Sequence, residues 1–199
     1  MKIFFIGFMG SGKTHWGKRV SEKLHIPFFD LDEQITAHEE KSITEIFTEN
    51  GEEYFRLLEK DILHIITESH ENFVMACGGG APCYYNGIDY MNQSGTTIWI
   101  NTPLETLFQR LIKDKETRPL IKELTNEQLK GFIIKKFSDR KIYYEQADII
   151  VDEDPVRLEN LVEKIFHAYN FPVAGSTIRW NCGCIGSIRR SWPQKSRFA

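Results

Sequence analysis

Short apolar runs alternate along the chain with longer stretches in which apolar residues recur every three or four positions. The runs at 2–6 (KIFFI), 26–31 (IPFFDL), 73–77 (FVMAC), 96–100 (TTIWI) and 148–151 (DIIV) read as strands. Several are nearly unbroken apolar blocks, which suits parallel strands covered on both faces better than half-exposed ones. Between them a helical period appears at about 13–24, 32–39, 43–49, 52–69, 103–113, 125–144 and 155–169. Strands alternating with helices in this way predict an α/β domain built on a doubly wound parallel sheet. Such sheets bind ligands beyond the carboxyl ends of their strands, so the residues that follow each apolar run are where chemistry is to be sought.

The 199 residues suit one domain, with 41% hydrophobic and 27% charged residues, an ordinary globular composition. The net charge of −3 hides an asymmetry. Residues 171–199 hold Arg179, Arg189, Arg190, Lys195 and Arg197 and no acid, leaving 20 of the 25 basic groups against all 28 acids before them. An acidic body offers no general nucleic-acid surface, and an anionic substrate would need local cationic pockets. The periodicity ends near Phe171. The domain is therefore expected over 1–170, with 171–199 an appendage: a disordered basic arm, or sequence introduced by cloning or a frameshift. The four cysteines, Cys77, Cys83, Cys182 and Cys184, lack zinc spacing and imply a reducing, cytoplasmic setting. The apolar start runs into Gly-Ser-Gly-Lys and not a cleavage site, and no run approaches a membrane span.

The segment "GFMGSGKT" (7–14) matches G-x-x-x-x-G-K-[ST] in full, after a predicted strand and at the start of a predicted helix. Gly10, Ser11 and Gly12 would turn backbone N–H groups around phosphate oxygens, with the helix N-terminus adding a favourable dipole. Lys13 would reach the β- and γ-phosphates, and the Thr14 hydroxyl would ligate Mg²⁺. A chance glycine-rich turn would lack that context. The loop alone does not choose among a GTPase, a motor ATPase and a small-molecule kinase. No Asn-Lys-x-Asp motif is present, and the chain is short for a motor. The acceptor site must decide.

The second strand ends "FFDLDEQI", with Asp30 and Asp32 two apart. Both carboxylates would face one side or straddle the strand-to-helix turn near the phosphates. One acid near Mg²⁺ and one near an acceptor hydroxyl is an arrangement phosphoryl transfer can use; the ordinary alternative for Asp32 is a helix N-cap.

"GFMGSGKT", "FFDLDEQI", "SITEIFTENGEEYFRLLE", "ACGGGAP", "TRPLI" and "DRKIYYEQAD" occur in order, and together they resemble shikimate kinase over roughly residues 2–169. The resemblance implies a three-layer P-loop NTPase fold of the adenylate-kinase-like type, with a five-stranded parallel sheet and a lid. It implies transfer of the ATP γ-phosphate to the 3-hydroxyl of shikimate, on the route to aromatic amino acids; a monomer without nucleic-acid or membrane partners is expected. Carried over by motif, Asp30 supports Mg²⁺ through its water shell, and Asp32 binds the shikimate hydroxyls and is the candidate proton acceptor. Arg56, oriented by Glu59, and Arg140 bind the carboxylate; guanidinium groups suit a planar carboxylate. The plain alternative for Arg56 is a solvated helix face shared with Glu52, Glu53 or Glu59. Gly78, Gly79 and Gly80 lie against the substrate, their alternative being a tight turn. The stretch 113–125 resembles the lid, with Arg118 closing over the transferring phosphate. Arg110 lies on the nucleotide side near the adenine.

Two departures stand out. His15 follows Thr14 where relatives carry a hydroxyl residue that contacts the α-phosphate. The loop "DEDPVR" (152–157) is acidic where relatives can carry an arginine. Trp16, Val20 and Leu24 fall four apart and are expected in the core; Cys77 is expected to be a buried apolar residue. The competing functions are a gluconate-kinase-like enzyme and a catalytically silent nucleotide-binding domain.

Overall fold

The computed structural model of the chain describes residues 1–115, 121–153 and 155–170. Five strands form one sheet: β1 (Lys2–Ile6), β2 (Phe28–Asp30), β3 (Phe73–Ala76), β4 (Thr96–Ile100) and β5 (Ile149–Val151), in the order β2-β3-β1-β4-β5. Every pairing is parallel. The carboxyl ends of all five strands therefore share one edge of the sheet, where Gly7, Leu31, Cys77, Asn101 and Asp152 continue the chain.

The helices are α1 (Lys13–Leu24), α2 (Leu31–Glu39), α3 (Ile43–Ser69), α4 (Gly87–Ser94), α5 (Leu104–Lys113), α6 (Asn126–Tyr144) and α7 (Leu158–Asn170). The strand residues alternate between two cores. Phe4, Ile6, Met75 and Trp99 face one layer with Leu31 and Ile62. Ile3, Phe5, Val74 and Ile98 face the other with Val20 and Leu161. This two-sided burial explains the unbroken apolar runs: no strand residue between Ile3 and Ile6 reaches solvent. A third core joins Phe8, just past β1, to Leu107, Leu111, Leu129 and Ile133 of α5 and α6. The fold is the three-layer, doubly wound α/β arrangement expected.

Local signals set the helix starts. Ser42 and Glu45 form a reciprocal capping box on α3, as Thr125 and Gln128 do on α6. The two helices expected at 43–49 and 52–69 run together in α3, and the break between them survives as non-helical Gly51 (φ 84°, ψ 174°). A 3-10 turn at Ala81–Cys83 and the eight-residue α4 lie where no element was expected. Both are short, and α4 begins at Asn86-Gly87, a turn signal that masks the helix behind it. Strand β2 is shorter than 26–31, although Val74 N–H still donates to the Pro27 carbonyl at 2.8 Å.

Of the stretch 113–125 expected to be a lid, Ile121 is fully buried in the third core and Leu124 packs against it. Residues 116–120, with Arg118, and the appendage 171–199 lie outside the described residues. Among the described residues no helix is long and apolar enough to cross a membrane.

Candidate active site

The loop between β1 and α1 folds back on itself. Ser11 N–H donates to Phe8 O at 3.2 Å, and the Lys13 ammonium donates to Gly7 O and Phe8 O at 3.0 and 2.9 Å. Gly12, the residue that precedes α1, is left-handed (φ 97°), a conformation that side chains resist. Helix α1 thus points its N-terminal peptides into the loop, a setting for anionic oxygens.

From this loop the chain is tied to β2. The Thr14 hydroxyl donates to Asp30 Oδ2 at 2.7 Å, while Asp30 Oδ1 accepts the Asp32 N–H at 3.1 Å. Asp30 is therefore the N-cap of α2, and Asp32 sits in the first turn. The two carboxylates straddle the strand-to-helix turn, and the capping task considered for Asp32 belongs to its neighbour. A threonine hydroxyl and one carboxylate are hard oxygen donors. Among the described residues no three His, Cys, Asp or Glu side chains form a metal cluster. That combination fits Mg²⁺, which keeps several waters and takes phosphate oxygens, better than a metal needing an all-protein cage.

Across the cleft, Arg56 on α3 is buried at 8% exposure, between Glu59 Oε2 (2.6 Å) and Glu52 Oε1 (3.3 Å). Its guanidinium lies over the Phe55 and Tyr84 rings at 5.0 and 4.7 Å. This is a built cationic slot and not the solvated face that its helical neighbours alone would suggest. Glu59 is 2% exposed, and its Oε1 has no hydrogen-bond partner among the described residues. Burial pushes the Glu59 carboxyl up to about 7, against the opposing pull of Arg56. Burial also works to lower the Arg56 pKa, and the charges of Glu59 and Glu52 more than reverse it. The 2.6 Å contact between Arg56 and Glu59 is charge-assisted once the Glu59 carboxyl is ionised. Mild acid is where Glu59 takes up a proton.

The three glycines after β3 explain how these charges come together. A β-carbon on Gly80 would lie 2.5 Å from Arg56 Nη1, and one on Gly79 would lie 3.2 Å from Arg140 Nη1. On Gly78 it would collide with Glu59 and approach Asp32 Oδ1 to 3.2 Å. Each glycine leaves room for a different charged group, so Asp32, Arg56, Glu59 and Arg140 converge on one turn. The tight-turn alternative does not account for that convergence.

One cleft of about 610 Å³ joins the two halves, lined by Gly10, Gly12, Lys13, Thr14, His15, Asp30, Asp32, Gly78, Gly79 and Arg110. Arg110 is tied to the loop, its Nη1 donating to Gly10 O and Ser11 O at 3.0 and 3.3 Å. It also borders a smaller cleft of about 100 Å³ with Ser11, Trp16, Thr102, Glu153 and Pro155. Trp16 is half-buried, not the core residue its spacing predicts: one side packs on the second core while the other lines both clefts. His15 is exposed on the rim, edge-on to Trp16 at 5.0 Å. The acid of the 152–157 loop is partly offset, since Glu153 pairs with Lys164 at 2.7 Å.

A sequence model of the shikimate kinase family matches residues 9–170. The shikimate kinase of Azobacteroides pseudotrichonymphae is 41% identical over 164 residues, covering 82% of this chain and 96% of that protein. The chain belongs to the shikimate kinase family. Two solved members of the family agree. The crystal structure of the Bacteroides thetaiotaomicron shikimate kinase has a TM-score of 0.77 at 37% identity, covering 86% of this chain and 99% of that one. The Acinetobacter baumannii shikimate kinase, solved in complex with shikimate, has a TM-score of 0.74 at 30% identity, covering 85% and 92%. The chain is thus an enzyme, a kinase of this family.

Of the expected site residues, Gly10, Gly12, Lys13, Thr14, His15, Asp30, Asp32, Gly78, Gly79 and Arg110 line the cleft and Ser11 its smaller neighbour, whereas Arg56 and Arg140 are not in the lining and come against Gly80 and Gly79. Tyr84, whose hydroxyl donates to Glu52, and Thr102, whose hydroxyl donates to Ser11 O at 3.1 Å, were not singled out from sequence, and Glu52 was weighed only as a partner of Arg56 on a solvated face. Glu52 one turn before Arg56 was the available signal; Tyr84 and Thr102 arrive from separate segments and give none.

The raised Glu59 pKa fixes the sign of a stability effect. The folded state holds the proton more tightly than the unfolded chain, whose value is near 4.5, so the contribution of Glu59 falls as pH rises from about 4.5 to about 7. Wild type is therefore expected to lose stability more steeply than Glu59→Gln between about pH 4.5 and 7. Urea unfolding across that range checks this; a difference independent of pH would contradict it.

Proposed function

We propose that the chain transfers the γ-phosphate of ATP to the 3-hydroxyl of shikimate, producing shikimate 3-phosphate and ADP on the route to chorismate and the aromatic amino acids. The observation that carries the reading is the convergence of Arg56 and Arg140 with Asp32 on the Gly78–Gly80 turn, across one cleft from the phosphate loop. Two guanidinium groups suit a carboxylate, and a nearby aspartate suits hydroxyls.

In this reading Arg56 and Arg140 hold the acceptor by its carboxylate, with Glu59 and Glu52 fixing the angle of Arg56. Asp32 holds the acceptor hydroxyls and takes the proton released as the phosphate bond forms. Lys13 and the loop N–H groups of Gly10, Ser11 and Gly12 hold the phosphates, with His15 and Arg110 on the nucleotide side. Arg118 keeps the role the family resemblance implies, over the transferring group. Thr14 and, through water, Asp30 would hold Mg²⁺, which would supply charge compensation for the phosphates. Little covalent chemistry falls to the protein in phosphoryl transfer, so placing two reactants in line and excluding water is most of its task. We also propose a cytoplasmic monomer.

A coupled ADP-release assay tests the reading, with gluconate as the competing acceptor. ADP release is expected with shikimate and not with gluconate; turnover of gluconate alone would overturn the proposal. Asp32→Asn is expected to lower kcat by about 10²- to 10⁴-fold while ATP binding, measured by titration, persists. Near-normal turnover would remove Asp32 from its role.

A further inference from the structure

Tyr144 is the last residue of α6, one helical turn beyond Arg140, and is fully buried. Its ring packs beside Trp99 and Phe137, with centroids 5.8 and 6.5 Å away. A buried tyrosine needs a partner for its hydroxyl, and the partners here are functional ground: Tyr144 Oη donates to the Gly79 carbonyl at 2.6 Å and also meets the Arg140 side chain.

Gly79 is the middle residue of the glycine turn, and parts of the site from two other segments approach it. A β-carbon there would lie 3.2 Å from Arg140 Nη1, 3.5 Å from Gly7 O and 3.6 Å from Met9 N. The phosphate loop, the second arginine and the turn therefore meet around one peptide. In a planar trans peptide the C=O and N–H point in opposite directions. A phenol that holds Gly79 O thereby fixes where the Gly80 N–H points, and Gly80 is the residue moulded against Arg56. Burial pushes the phenol pKa up and the Arg140 guanidinium beside it pulls the other way, so the hydroxyl remains a donor through neutral pH.

We propose that Tyr144 is a positioning residue for the acceptor: through Gly79 it sets the direction of the Gly79–Gly80 peptide and the seat of Arg140, and so the affinity for the carboxylate substrate. The proposal rests on the shikimate reading above. The Tyr144 hydroxyl bond goes to the glycine turn, so the loss of that bond acts first on the acceptor half of the site.

The test is Tyr144→Phe, which keeps the ring and removes only the hydroxyl, with shikimate and ATP varied in turn and thermal melting read in parallel. Losing one buried hydrogen bond to the turn is expected to raise the KM for shikimate about 5- to 10-fold while the KM for ATP stays within about 2-fold. A shikimate KM within about 2-fold of wild type, or equal rises for both substrates, would overturn the proposal. The split stays decisive if part of the variant is unfolded, since fewer active molecules lower the apparent kcat and leave both KM values in place. Wild type that turns over no shikimate is a different result: it removes the functional reading, and this inference with it.

Discussion

The guanidinium of Arg56 occupies the space that a side chain at position 80 would fill, 2.5 Å from where its β-carbon would stand. Much of the acceptor half of the site depends on that substitution of one group for another. A buried guanidinium is tolerable only with close carboxylate partners. Glu59 at 2.6 Å meets that need from the same helix, one turn away. Its second oxygen then faces Gly78, where no side chain is present to exclude it. The glycines are thus less a flexible hinge than a mould whose shape is complementary to charge.

The nucleotide half is organised by a second, smaller constraint. Asp30 is at once the last residue of β2, the N-cap of α2 and the acceptor of the Thr14 hydroxyl. One carboxylate therefore ties the phosphate loop to the strand that presents Asp32. Because β1 lies between β3 and β4 in the sheet, the loop leaving it is flanked by the glycine turn on one side and by Asn101 and Thr102 on the other. The topology, not any added element, sets the two halves across one cleft.

The sheet and most helices were legible because apolar periodicity reports burial directly, and here every interior strand is buried on both faces. The phosphate loop was legible because backbone geometry demands glycine and a lysine at set spacing. Arg56 was different. Its neighbours Glu52 and Glu59 read equally well as a solvated face, and only the order of motifs along the chain pointed to a site. What hid it is tertiary: burial of Arg56 comes from Tyr84 and Gly80, far away in sequence. Trp16 failed for a related reason. A four-residue spacing says which helix face a residue shares, not whether a cleft opens beside it. Helix α4 was missed because eight residues behind an Asn-Gly pair carry too little periodicity to outweigh the turn.

In the proposed function a carboxylate, gripped by two arginines, selects the acceptor. Calorimetric titration of the wild-type enzyme with shikimate and with its methyl ester tests this without relying on any variant. Neutralising the carboxylate is expected to weaken binding at least about 30-fold, through the loss of charge-assisted contacts to two guanidinium groups. Ester and acid binding within about threefold of each other would contradict it.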